Sequence, residues 1–71
     1  MTREDLAIDI LDFREAIRMS EDTVSEILGI PYDLYVMMEE GSPYISIETY
    51  LETFSMMEEE FSHILHSEGL K

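Results

Sequence analysis

The chain has no cysteine and no tryptophan, two prolines, three glycines, and four bases against seventeen acids. Without cysteine, no disulfide or thiolate metal site can staple a small fold. No apolar run approaches the roughly 18 residues of a membrane span. The opening MTREDLAIDI is charged where a signal peptide would be apolar, so a cytoplasmic protein is expected. The bases are Arg3, Arg14, Arg18 and Lys71, which leaves residues 19 to 70 with none. Nucleic-acid binders normally show the reverse, because their affinity comes largely from neutralising phosphates. A net charge of −13 repels DNA and anionic membranes and attracts basic surfaces. It also serves plain solubility.

What is present is apolar periodicity. At 71 residues with 45% hydrophobic content, the chain is expected to form a single domain over 1–71. A domain of this size buries only about 60% of its unfolded surface. Thr2 with Asp5 resembles a capping box, and Leu6, Ile10, Phe13 and Ile17 then share one helical face, predicting a helix to about Met19. Ser20 caps a second helix that opens with Glu21 and Asp22, carries Val24, Ile27 and Leu28, and closes at Gly29. Pro31 suits the first turn of a third helix, running to about Glu40 and closed by Gly41. Ser42-Pro43 marks a loop, and Ser46 caps a fourth helix with Ile47, Tyr50, Leu51 and Phe54 on one face. A fifth helical stretch, about 57–68, holds Met57, Phe61, Ile64 and Leu65 and frays near Gly69. Glu58 to Glu60 offer no breaker, while Ser55 with Glu58 would suit a new start, so the boundary between the last two helices stays open. The fold class is all-α, a compact bundle of about five short helices.

Met19-Ser20-Glu21-Asp22-Thr23-Val24-Ser25-Glu26-Ile27-Leu28-Gly29-Ile30 resembles the second helix and turn of Cro and lambda-repressor helix-turn-helix domains. Met38-Glu39-Glu40-Gly41 is similar to that family's ending of helix three, and Ser46-Ile47-Glu48-Thr49-Tyr50-Leu51 to its start of helix four. The spacing is gap-free across residues 13 to 57, and the helix-turn-helix unit would span about 20–41. The resemblance also implies an ion pair between Arg14 of helix one and Glu39 at the end of helix three, which would remove Arg14 from any phosphate contact. Helix five departs from the family, which usually carries a glycine-containing break near Glu58.

The resemblance implies a DNA-facing surface, and here its chemistry is reversed. Glu21 occupies the position where the family clamps a phosphate with Gln, and Asp33 lies where side chains reach base edges. The loop after Gly41, often basic in the family, is Ser42-Pro43-Tyr44. On the same template Ile30, Tyr35 and Met38 point inward, leaving Tyr32, Leu34, Val36 and Met37 at outward positions. Two readings are open for these four: an apolar contact patch, or ordinary core if helix three is rotated. With Glu21, Asp22, Glu26, Asp33 and Glu40 around them, they would form an acid-rimmed partner-binding surface without direct DNA binding. A fitting partner is a basic helix-turn-helix repressor. The chain then resembles small phage modulators of repression, antirepressors that occupy a repressor's DNA-binding domain.

A different class, a regulator that binds DNA only with a basic partner chain, would show no gel shift alone. An antitoxin-like assembly subunit would reveal itself by concentration-dependent mass, and self-association is compatible with the sequence. His63 and His66 beside Glu59 and Glu60 form a weak metal motif, and partly exposed histidines are the plainer reading. No nucleophile elbow, Gly-rich phosphate loop or acid-base pair is present, so neither catalysis, a metal nor a cofactor is expected.

Overall fold

In a computed structural model that describes residues 1–69, with side chains through Ile64, the chain forms four helices. They are α1 (Arg3–Ala16), α2 (Glu21–Leu28), α3 (Tyr32–Glu39) and α4 (Ile47–Gly69), with no strand among the described residues. Each start has a local cause. The Thr2 hydroxyl accepts from the Asp5 N–H while the Asp5 carboxylate accepts from the Thr2 N–H, so two otherwise orphaned donors are satisfied at once. Ser20 accepts from the Thr23 N–H, and Ser46 from the Thr49 N–H. Pro31 stands just before α3 as its cap rather than inside its first turn, where its missing N–H costs nothing.

The ends differ more from expectation. α2 closes at Gly29, whose left-handed backbone (φ 73°) lets the Ile30 N–H bond back to the Ser25 carbonyl. α1 stops at Ala16, short of Met19, because Arg18 takes the same left-handed turn at φ 60° without being glycine. The turn is closed by the Arg18 N–H to Glu15 O and the Met19 N–H to Arg14 O. The separate C-terminal helix at about 57–68 is corrected: α4 is continuous, and the bundle has four helices. Between Ile47 and Glu68 there is neither glycine nor proline, and Glu58 to Glu60 are good helix formers, so nothing offsets the backbone hydrogen bonds a break would lose.

Leu6, Ile10 and Ile17 of the N-terminal segment meet Val24 of α2, Tyr35 and Met38 of α3, and Tyr50, Met57 and Phe61 of α4 in one core. Fully burying each such side chain contributes about 1.5–3 kcal/mol. Phe13 and Phe54 join α1 to α4 edge-to-face, with ring centroids 5.7 Å apart. The buried Thr53 hydroxyl is satisfied by the Met38 sulfur at 3.3 Å. Two bonds pin the segment between α3 and α4: Arg3 Nε donates to Ile45 O at 2.6 Å, and Tyr50 Oη to Ser42 O at 2.8 Å.

Three residues assigned to apolar faces lie outside this core: Ile27, Ile47 and Leu51 are exposed. In α2 the small Ser25 turns inward instead of Ile27, its hydroxyl donating to Asp22 O at 3.0 Å. In α4, Tyr50, Met57 and Phe61 already fill the inward stripe, which leaves Ile47 and Leu51 on its flank. None of the described helices is long and apolar enough to cross a membrane.

Candidate functional site

Where α1, α2 and α3 meet, Arg14 reaches Glu39 with two parallel hydrogen bonds, Nε to Oε2 at 2.6 Å and Nη2 to Oε1 at 3.1 Å. Its remaining nitrogen, Nη1, donates to Met19 O at 2.9 Å. All three guanidinium nitrogens are therefore engaged, with side-chain exposures of 16% for Arg14 and 5% for Glu39. Burial alone would raise the Glu39 pKa and is the strongest single influence on it. The hydrogen bond from Arg14, helped by Glu21 and Tyr35, outweighs that and leaves Glu39 below the ordinary carboxylate range.

Glu21, at the start of α2, sits against this pair and is pushed the other way. Sharing a hydrogen bond with the Glu39 carboxylate, and secondly losing water, it is held above the ordinary range. Arg14 attracts it but is already committed to Glu39. The completely buried Tyr35 hydroxyl lies in the field of Glu39 yet has no hydrogen-bond partner among the described residues. Burial first, and the Glu39 carboxylate second, raise its pKa strongly. One guanidinium thus serves two carboxylates, and the corner keeps a net negative charge facing outward through Glu21.

That charge opens onto the exposed part of α3. Tyr32 is 47% exposed, and its phenol pKa is raised first by the Glu21 carboxylate, then by slight desolvation, Asp22 and Asp33. Three carboxylates up to twelve positions apart in sequence thus act on one ring. Asp22, Glu26, Asp33 and Glu40 are exposed, while Glu21 is half-buried. The apolar part of the expected patch is smaller than the helix template implied. Leu34 and Met37 are half-buried and pack against the core, and Val36 is half-buried. The correction has a geometric cause: on an eight-residue helix centred on Tyr35 and Met38, the buried arc is wide enough to take in Leu34 on its flank. Tyr32 is left as the main apolar contact, with Val36 one turn beyond it.

Such an arrangement offers acceptors and an aromatic ring to a cation. Among the described residues no three His, Asp or Glu side chains gather with metal-holding geometry. His63 is exposed, and the side chain of His66, like that of Leu65, lies outside the described residues. Two apolar features were not anticipated. One is a stripe of Tyr44, Ile47 and Leu51 on the outside of the α4 start. The other is a groove between α2 and α4 lined by Ile27, Leu28, Met56, Glu59 and Glu60. The inward Ser25 was the available signal for Ile27, since the two lie on well-separated faces of α2. No family model, curated protein or solved structure matches the chain.

Proposed function

We propose that the chain is an acidic antirepressor: it occupies the DNA-binding domain of a basic repressor and blocks operator binding, partly by presenting carboxylates where DNA would present phosphates. In this reading α2 and α3 are a helix-turn-helix pair whose outward face has been turned from nucleic acid to protein. The observation that carries it is that Glu21, Asp22 and Asp33 all act on exposed Tyr32 while Arg14 is already engaged by Glu39. A phosphate brought to this face meets like charge, whereas an arginine or lysine meets several carboxylates and an aromatic ring. The surplus acid speeds encounter with a basic partner, and Tyr32 supplies desolvated area that slows release.

The test begins with recovery of a basic repressor from the native host on the tagged chain. Operator binding by that repressor is then titrated with the chain in a gel shift. Saturating chain should weaken operator binding, and Tyr32→Ala and Asp33→Lys should each relieve the inhibition. The chain alone should give no shift with DNA at low salt. If the repressor's DNA affinity is unmoved by saturating chain, the proposal is wrong.

A further inference from the structure

We infer that the groove between α2 and α4 docks an apolar side chain carried on a basic amphipathic helix of a partner protein. Ile27 and Leu28 of α2 and Met56 of α4 give it apolar lining, and Glu59 and Glu60 of α4 form its acidic wall. Ile27 is 47% exposed although nothing in its chemistry favours water, and the half-buried Met56 has the flexible thioether that adapts to a guest. The groove combines the two helices because α4 is unbroken through Met56 to Glu60, so its acids line the same groove as the aliphatic residues of α2.

Size and charge choose the occupant. A volume of about 270 Å³ lies below the range of small-molecule pockets and suits a protruding side chain. A second copy of the chain would bring a net −13 against −13, with no base between residues 19 and 70 to meet Glu59 or Glu60. A helix with Leu or Ile at its centre and Lys or Arg one turn away satisfies both parts: the aliphatic group covers Ile27 and Met56, and the bases reach the wall. None of the residues that line this groove is among those acting on Tyr32, so the inference does not depend on antirepression.

The probe is a short helical peptide of leucine and lysine with all leucines on one face, titrated into the full chain and followed by methyl and amide NMR. A peptide with glutamate in place of lysine is the control. The methyl signals of Ile27, Leu28 and Met56 should move with the basic peptide and stay still with the acidic one. Ile27→Asp should weaken binding by about tenfold or more, as loss of a central contact does at an interface. Glu59→Gln combined with Glu60→Gln, at exposed positions that cannot unfold the core, should weaken it and flatten its salt dependence. Tyr32→Ala should leave it unchanged, and the operator competition above should respond to Tyr32→Ala whatever happens here. Absence of binding, shifts centred on Tyr44, Ile47 and Leu51, or full affinity in the groove variants would each overturn the inference.

Discussion

Two neighbouring regions of this small bundle hold the same kinds of charged side chain and use them in opposite ways. In the inner corner, Arg14 and Glu39 are enclosed and joined through a two-pronged contact, and the third arginine donor caps the Met19 carbonyl. Outside it, Arg18 is exposed and makes no ion pair among the described residues, while on the outer rim Asp22 and Asp33 are exposed near Tyr32 and half-buried Glu21 stands between the two regions. Charge in the corner is structural, because removing either partner strands the other out of water. Charge on the rim is excess, because nothing in the fold requires it. The difference separates the acids that hold the molecule together from those free to recognise something else.

Arg14→Ala should give the largest effect. It leaves Glu39 buried beside Glu21 and the Met19 carbonyl without its donor, and loss of one member of a buried pair costs about 3 kcal/mol. Urea unfolding near neutral pH should show that loss, and it should shrink in acid, where Glu39 can take a proton. A change below about 0.5 kcal/mol, typical of exposed pairs, would move the corner into the same class as the rim.

Arg18→Gly should act in the opposite direction. Arg18 holds φ at 60°, a region that costs a residue with a Cβ roughly 1 kcal/mol, and glycine adopts it freely. Because Arg18 is exposed and makes no ion pair among the described residues, nothing there offsets the relief, and a thermal melt should show a gain of about 0.5–1 kcal/mol. A destabilised Arg18→Gly variant would reveal that the exposed guanidinium works for the fold after all.

Arg18 also shows where sequence patterning stops. The helix starts at Thr2, Ser20 and Ser46 were readable because each carries a capping side chain with its own local chemistry. The end of α2 was readable because Gly29 marks it. The end of α1 was not, since an arginine stands where a glycine would announce the turn. Periodicity placed Ile10, Tyr50 and Met57 inside but misassigned Ile27 and Leu51, because a stripe at helical spacing gives a face without saying how far burial extends around it. Residues 14 and 39 are 25 apart, and only the family resemblance pointed to them as partners. Tyr35 could be assigned inward, but its unpartnered hydroxyl could not be foreseen, because it depends on side-chain positions in three helices.

The smallest effect is the one that reads the boundary between the two regions. Glu21 has a raised pKa, so folding favours its protonated form: it adds stability below the ordinary carboxylate range and loses it as pH rises through the raised value. Glu39, with a lowered pKa, does the reverse, adding stability above the ordinary range and losing it as pH falls through the lowered value. Glu21→Gln removes the first contribution and, because Glu21 helps hold the Glu39 pKa down, trims the second. At neutral pH it should stabilise the free chain by about 0.5 kcal/mol, a figure kept small by solvent screening at a rim position. The gain should fade as the pH drops below the ordinary carboxylate range, where wild type is protonated too. Paired unfolding curves across that range measure it. If the glutamine variant is instead less stable at neutral pH, the Glu21 charge is serving the start of α2 through the helix dipole and belongs with the corner. If the gain is found, the free chain holds a carboxylate that its own fold disfavours.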